Sequence, residues 1–180
     1  ADRLTKDVGK LLPRLGLSGG KLLVELAPLS EPSAHGAEDV HFLVRLNAGL
    51  EARPLGKVAS GGEVSRLMLA LKVALAKHDK VPVLVFDEID QGIGGEIGGQ
   101  VGDALAEVAK RHQVLVITHL AQIAACADHH LVVSKRAKGG IATSDVRTVD
   151  GAERVDEVAR MLGDAEAETA RRHAETLLAR

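Results

Sequence analysis

Three carboxylates follow a short apolar run in the middle of the chain. The run at 83–86 is followed directly by Asp87 and Glu88, and Asp90 lies two residues further on. A Val-rich run of this length after Pro82 is typical of a strand buried on both faces. Ligands of α/β sheets bind at the carboxyl ends of such strands. Asp87 could therefore hold Mg²⁺ through an oxygen, with Glu88 as the general base that orients a water. The alternative is a solvated turn after a strand.

A second candidate is a pair of glycines at the start of a predicted helix. Ser60 and Glu63 match the capping box S-x-x-E and enclose Gly61 and Gly62. Glycines are poor helix formers, so two of them in one first turn favour close approach of another group to the backbone. Free N–H groups and the positive end of the helix dipole bind phosphate oxygens. Capping and phosphate binding are compatible interpretations.

The next apolar strand ends in Thr118 and His119. His119 lies at the same kind of strand end as Asp87, so it could contact a phosphate or an attacking water. The alternative is a hydrogen-bonded turn residue. His129 and His130 are interpreted as structural or surface residues, because adjacent strand positions face opposite ways.

Two glycine-rich segments resemble nucleotide-binding loops but lack essential features. The segment 16–22, GLSGGKL, is one residue too short for a P-loop, has Leu22 in place of Ser or Thr, and follows no buried strand. The segment 92–94 opens like a dinucleotide fingerprint, but Ile97 replaces the third glycine and the preceding carboxylates would repel a pyrophosphate. The sequence thus predicts a Mg²⁺–water half-site without a P-loop.

The composition limits the class of protein. The 180 residues suit one domain with a full core, and a net charge of −2 gives no overall basic field for nucleic acid. Two Phe, no Trp and no Tyr argue against base-stacking platforms. Cys126 is the single cysteine, interpreted as a small buried residue in a reducing compartment. No run approaches the roughly 18 apolar residues of a membrane span, so we expect a cytoplasmic protein without membrane contact.

Hydrophobic periodicity predicts a strand–helix–strand unit preceded by two antiparallel strands. The predicted helices cover 2–15 (broken at Pro13), 60–77, 95–111, 121–127, 152–162 and 165–179, and the strands cover 21–29, 41–47, 82–87, 114–118, 131–135 and 141–148. A polar loop is predicted at 30–39 and a basic turn at 136–140. The predicted class is α/β, a mostly parallel sheet flanked by helices with an antiparallel edge.

The order of these motifs resembles the second half of an ABC-type ATPase head. The segments KVASGGEVSRLMLALK, VFDEIDQGIGG, ITHLAQIAACADHHLVVSK and EVARMLG are similar to the RecN family of SMC-like bacterial DNA repair ATPases. The resemblance covers roughly 15–180. It implies that 16–180 form the C-terminal lobe of the head and that 1–15 are the returning end of a coiled coil. Ala59 and Glu63 differ from the general ABC pattern but fit the RecN version.

The resemblance also implies roles for the candidate residues. Asp87 would hold Mg²⁺, Glu88 would activate the water and His119 would sense the γ-phosphate of ATP. The ATP-binding residues Ser60, Gly61, Gly62 and Glu63 would form the signature motif, with Ser60 and Gly62 capping the phosphate held by the opposing head. Asp90 would link the two sites.

The implied partners are an N-terminal half that carries the P-loop, a second head in a homodimer, and DNA. The implied activity is ATP hydrolysis coupled to double-strand break repair at the nucleoid, with the fragment inactive alone. Two rival interpretations remain. One is a Mg²⁺-dependent nucleic-acid-cleaving domain of topoisomerase-primase type, with Asp87, Glu88 and Asp90 as its metal cluster. The other is a non-enzymatic scaffold that docks a partner on the helix at 63–77.

Overall fold

A computed structural model describes residues 1–34, 36–47, 49–57, 60–138, 141–163 and 167–179. The chain divides into two compact units, residues 1–118 and 119–180. Each unit has its own secondary structure and its own buried side chains. None of the described helices is long and apolar enough to cross a bilayer.

The first unit contains three helices and five strands in the part of the chain that is described. Its elements are α1 (Asp2–Leu11), β1 (Lys21–Ser33), β2 (Gly36–Arg45), β3 (Arg53–Pro54), α2 (Gly61–Leu75), β4 (Val83–Phe86), α3 (Gly95–Ala109) and β5 (Gln113–Val116), with 3₁₀ turns at Pro13–Leu15 and Leu55–Lys57. The turn after α1 ends at Gly16, whose φ of 74° favours glycine. α1 packs against β1 and α2, and Val8 in the helix and Leu12 at its end are buried. The coiled-coil assignment of 1–15 stays a prediction.

The antiparallel pair β1–β2 is confirmed, but it is longer than predicted. Its register runs from Lys21 opposite Arg45 to Pro28 opposite Glu38, and the pair closes near Gly36. The predicted polar loop at 30–39 is wrong, because β1 reaches Ser33. β1 lies at the edge of the sheet β1-β2-β3, and an edge strand tolerates prolines since their missing N–H groups can face away from the ladder. His35 lies outside the described residues.

The predicted parallel pair is present as β4 and β5. Val85 lies opposite Leu115 and Phe86 opposite Val116. The α/β class is confirmed, although five of the seven described strands pair antiparallel. Burial of β4 on both faces is wrong for this chain: Leu84 and Phe86 are buried, whereas Val85 is 65% exposed. Although all four residues of β4 are apolar, their burial alternates along the strand. One face of the β4–β5 pair is therefore exposed to solvent.

The two long helices of the first unit form most of its core. The predicted stripe of α3 is largely confirmed, since Val101, Leu105 and Val108 are buried. In α2 the burial is broader than the predicted stripe. Leu67 and Leu71 are buried as expected, but Arg66, Leu69 and Ala70 are buried as well, while Leu75 is exposed. α2 is thus buried on more than one side, which a single-stripe analysis misses.

The second unit consists of a two-stranded ribbon and three helices within the described residues. These are α4 (Ala121–Ala124), β6 (His130–Lys138), β7 (Ile141–Val149), α5 (Gly151–Met161) and α6 (Glu168–Leu178). Its core contains Ala121, Val158, Ala159, Ala174 and Leu177. α4 is shorter than predicted. Cys126 is only partly buried, and its thiol donates to the carbonyl of Gln122.

Two predictions for the second unit fall partly on residues that the structure does not describe. The tip of the predicted basic turn, Gly139 and Gly140, lies outside the described residues, as do Ala165 and Glu166 at the predicted start of the last helix.

Candidate functional site

The loop at 87–92 continues directly from the carboxyl end of β4. The Asp87 carboxylate accepts a hydrogen bond from the Glu88 N–H (2.9 Å), and the Gln91 N–H donates to the Glu88 carbonyl (3.0 Å). Ile89 is fully buried and anchors the loop in the core. Glu88 adopts φ +56°, the only positive φ among the described non-glycine residues. A bulky residue held in this region is a strained conformation that clusters at functional sites.

The N-terminus of α2 is capped as the sequence predicts. Ser60 has extended backbone angles, and its hydroxyl accepts a hydrogen bond from the Glu63 N–H at 3.5 Å. The next two residues begin the helix without side chains. Ala59, immediately before the cap, lies outside the described residues. The capping role of Ser60 is therefore established geometrically, and its contact with a phosphate remains a prediction.

The two glycines allow the 87–92 loop to lie directly on the first turn of α2. A Cβ on Gly61 would come within 2.2 Å of the Glu88 Oε2 atom. A Cβ on Gly62 would lie 2.9 Å from both the Cβ and the carbonyl oxygen of Gln91. The Gly62 N–H also donates to the Gln91 side-chain oxygen (3.3 Å). Close backbone approach, inferred from the glycine pair, is thus real, and the group that approaches is the chain's own loop.

The Glu88 carboxylate occupies the place where the helix dipole favours an anion. Its Oε2 atom lies beside Gly61, the first residue of α2. A negative charge near the N-terminus of a helix is stabilised by the free N–H groups and the dipole. Anions are therefore compatible with this end of α2, and one carboxylate of the candidate site is already there.

A buried arginine, which the sequence reasoning missed, joins α2 to the same loop. Arg66 is 4% exposed, and its Nη1 atom donates to the carbonyls of Ile89 (3.1 Å) and Gln91 (2.7 Å). Burial lowers the pKa of the Arg66 guanidinium, while the charges of Glu63 and Asp90 oppose this shift. The available signal was weak: Arg66 stands between Ser65 and Leu67, and the residues three and four positions later on the same helix face are apolar.

Asp90 is buried and joins the ends of the two parallel strands. Its carboxylate accepts a hydrogen bond from the Thr118 hydroxyl at 2.5 Å, and the nearby Ile117 N–H donates to the Phe86 carbonyl at 3.0 Å. Asp87 and Glu88, in contrast, are exposed. The described residues include no group of three or more His, Cys, Asp or Glu side chains arranged to hold a metal ion. The three-carboxylate cluster of the rival metal-dependent interpretation is therefore not formed.

The donor set fits Mg²⁺ at one carboxylate. Asp87 is exposed and uses one carboxylate oxygen, Oδ1, for the Glu88 N–H. Mg²⁺ in nucleotide sites is commonly held by one or two carboxylates, with waters and phosphate oxygens as the other ligands. Asp87 can supply such a ligand without rearrangement of the loop.

His119 is the first residue of the second unit, directly after Thr118. Leu120 is the N-cap of α4, so His119 lies in the short link between β5 and that helix. The structure thus brings together Ser60, Gly61, Gly62, Asp87, Glu88 and Asp90 in the first unit, and Glu63 lies on the same turn of α2. The convergence of His119 with Glu88 stays a prediction.

The curated proteins that are similar to this chain share one name. No protein-family model matches the chain. The DNA repair protein RecN of Xylella fastidiosa is 46% identical over 165 residues, which are 91% of this chain. RecN of Deinococcus radiodurans is 44% identical over 179 residues, 99% of the chain.

The chain belongs to the RecN family. It spans about 30% of the length of these relatives. A solved SMC head domain with a coiled coil and joint, from Pyrococcus yayanosii, matches with a TM-score of 0.60 and 22% identity over 88% of this chain and 29% of that one. A second solved structure, from work on the ATP-driven dimerization of SMC ATPases, matches with a TM-score of 0.51 and 21% identity. The match covers 91% of this chain and 93% of that one. The fold is therefore that of the C-terminal part of an SMC-type head.

Proposed function

We propose that this chain is the C-terminal portion of an ATP-hydrolysing head that acts in DNA repair. The observation that carries the proposal is the contact between the capped, glycine-tipped start of α2 and the loop that holds Asp87 and Glu88. Membership of the RecN family supports the repair context, and the strained Glu88 at a strand end supports catalysis.

Within this head, each residue has a role that its chemistry allows. Asp87 offers a carboxylate oxygen to the Mg²⁺ that accompanies ATP, and the bound Mg²⁺ supplies charge stabilisation at the phosphates. Glu88 accepts a proton from the attacking water. His119 contacts the γ-phosphate at the end of the neighbouring strand. Ser60 and the N–H groups beside it face the nucleotide of a second head.

Asp90 has a different role from the exposed carboxylates. Because it is buried and bonded to Thr118, it holds the 87–92 loop to the ends of β4 and β5. We propose that this loop is the route by which the two sites of a head pair influence one another, as the resemblance implies.

We propose that the P-loop half docks on the open face of the β4–β5 pair. Val83 and Val85 on β4, Leu115 on β5 and Ile117 directly after β5 are all exposed. Exposed apolar residues on adjacent parallel strands are unusual, because parallel sheets are covered on both faces. The chain spans about 30% of its relatives, and the P-loop segment of the remaining length is our proposed cover.

The first experiment measures ATP hydrolysis by this chain alone and after addition of the P-loop-bearing half, with and without DNA. The chain alone is expected to be inactive, because it has no P-loop. Activity should appear with the added half. Brisk turnover by the pure chain, or none by the completed protein, contradicts the proposal.

The second experiment changes single residues in the whole protein. Glu88→Gln should abolish turnover and favour the dimer, because the amide cannot accept the proton while the shape is kept. Ser60→Arg should block head pairing but leave nucleotide binding by the same head intact. An unchanged rate in Glu88→Gln removes Glu88 from the base role, and loss of nucleotide binding in Ser60→Arg places α2 in the wrong site.

Two further outcomes distinguish the rival functions. Metal-dependent strand cleavage without nucleotide supports the nuclease interpretation. A docking scaffold predicts that Asp87→Asn and Glu88→Gln raise stability and leave ATP turnover unchanged. The proposed setting is the bacterial cytoplasm, at the nucleoid where DNA is present.

A further inference from the structure

Arg66 is a buried cation that the roles above leave unexplained. A guanidinium removed from water must be hydrogen-bonded, or its burial is strongly unfavourable. Arg66 satisfies this need with backbone carbonyls and not with a carboxylate ion pair: Nη1 donates to Ile89 and Gln91. Both acceptors belong to the 87–92 loop, so the side chain of one α2 residue holds alternate carbonyls of the loop that contains Glu88.

The guanidinium also contacts the first turn of its own helix. A Cβ on Gly62 would lie 3.0 Å from the Arg66 Nη1 atom, which shows how closely the group is inserted. Its Nε atom is buried without a hydrogen-bond partner. The two hydrogen bonds of Nη1 therefore hold the guanidinium between helix and loop, although Nε has no partner.

Two more hydrogen bonds join the same two segments. The Gly62 N–H donates to the Gln91 side-chain oxygen (3.3 Å), and the Ser65 hydroxyl donates to the Asp87 carbonyl (2.8 Å). The loop is therefore attached to α2 at its first, third and fifth residues. Arg66 contributes two of the four hydrogen bonds between α2 and the loop. Of the three side chains involved, Ser65, Arg66 and Gln91, only that of Arg66 is buried.

We propose that Arg66 is a positioning residue that fixes the 87–92 loop, and with it Glu88 and Asp90, to the N-terminal turn of α2. This inference rests on the proposed function, in which Ser60 and Gly62 meet the nucleotide of a second head. The bonds of Arg66 therefore keep the proposed proton acceptor at a fixed position relative to the turn that meets the nucleotide.

The activity test uses the whole protein, with Arg66→Met to remove the donors and Arg66→Lys to keep the charge. The Met variant should lower kcat for ATP at least tenfold with KM within about twofold, because the catalytic base is misplaced while nucleotide contacts are kept. The Lys variant should recover at least threefold over Met, since its ammonium keeps donors and charge without the guanidinium geometry.

Lys72→Met is the matched control. Lys72 lies on the same helix in a partly buried ion pair with Asp79 (2.6 Å), away from the loop contacts. It should lose stability without loss of kcat per folded molecule. An unchanged kcat in Arg66→Met, or an equal loss in Lys72→Met, overturns the inference. Where the Met variant does not fold, the Lys variant decides: a kcat equal to that of the unaltered protein overturns the inference.

Hydrogen exchange separates failure of this inference from failure of the proposed function. The amides of the 87–92 loop, including the Gln91 N–H, should exchange faster in Arg66→Met than in Lys72→Met. If the unaltered protein does not hydrolyse ATP, the proposed function fails while this exchange result still tests the positioning role. Equal exchange in both variants refutes the positioning role even when the ATPase is intact.

Discussion

Replacement of Gly61 by Ala is the sharpest test of the contact between α2 and Glu88. The new Cβ would lie 2.2 Å from the Glu88 Oε2 atom, which is roughly 1 Å inside van der Waals contact. Glu88 is exposed, so its carboxylate can rotate away. Ala also reduces the entropy of the unfolded chain, a gain of roughly 0.4–1 kcal/mol. The free energy of unfolding should therefore change by less than about 1 kcal/mol.

Activity, in contrast to stability, should change strongly. Because the methyl group displaces the carboxylate of the proposed base, kcat in the whole protein should fall at least tenfold, equivalent to about 1.4 kcal/mol of transition-state stabilisation. Gly61→Ala is thus expected to separate stability from catalysis.

Gly62→Ala supplies the contrast. Its Cβ would lie 2.9 Å from the carbonyl oxygen of Gln91, a backbone atom that cannot rotate away. Overpacking of this kind costs about 1–3 kcal/mol. Gly9→Ala is the control: it lies in α1 with nothing within 4 Å of the new Cβ, so stability should rise by up to about 1 kcal/mol.

The assay is urea unfolding of the three variants followed by circular dichroism, with the slope checked for constancy so that midpoints can be compared. The expected order of stability is Gly9→Ala, then Gly61→Ala, then Gly62→Ala. A Gly61→Ala variant as unstable as Gly62→Ala would show that Glu88 cannot move. Full turnover by Gly61→Ala would show that the observed position of Glu88 is unrelated to catalysis.

Three further predictions concern the loop and the second unit. Glu88→Asn and Glu88→Gln both remove the carboxylate beside the start of α2, but Asn tolerates the observed positive φ, so the free energy of unfolding should be roughly 0.5–1 kcal/mol higher for the Asn variant than for the Gln variant; denaturant midpoints of the two variants test this. Thr118→Val should cost about 1.5–3 kcal/mol, since it removes a hydroxyl donor to a buried carboxylate; if Thr118→Ser is equally destabilised, the hydroxyl is not the cause. Burial and the charges of Arg154 and Arg160 lower the pKa of His130 below its ordinary value of 6.5, against the opposing effect of Glu157. The unfolded chain therefore binds this proton more readily than the folded chain. Stability should fall as the pH drops below about 6.5, until His130 is protonated in the folded state as well. Thermal unfolding from about pH 7.5 to 5 measures this loss, and His130→Gln should flatten the dependence; an identical slope in that variant assigns the effect elsewhere.

The sequence predicted the elements that position the site better than the contacts within it. The strand at 82–87 and the cap at Ser60 are predicted from local patterns, apolar content and S-x-x-E spacing; the strand is present at Val83–Phe86 and the cap is confirmed. The role of Arg66 and the pairing of Gly62 with Gln91 depend on residues 25 and 29 positions apart. Hydrophobic periodicity cannot predict contacts between residues so far apart in sequence, because it indicates only which positions of one helix are buried or exposed.

Burial was the weakest inference, for a physical reason. A continuous apolar run is compatible with cover on one face or on both, and β4 has cover on one face within this chain. A loop is predicted at 30–39 because this segment contains Pro32, Ser33 and Gly36, yet an edge strand tolerates a proline. Both errors arise because the neighbours of a strand, and not its own residues, decide which of its groups must be satisfied.

The open face of β4 and β5 connects these observations to the composite site. Val85 and Leu115 are register partners and are 65% and 43% exposed. Leu84 and Phe86, the sequence neighbours of Val85, face the other side of the sheet and are buried. The strand ends that present Asp87 and Asp90 therefore belong to a sheet covered on one side only. A segment that covers the other side would meet the carboxyl ends of both strands, which is where a phosphate-gripping loop must lie to share its ligand with Asp87. If Val85→Asp leaves association with the P-loop-bearing half unchanged, that segment binds elsewhere and the shared pocket is not formed on this sheet.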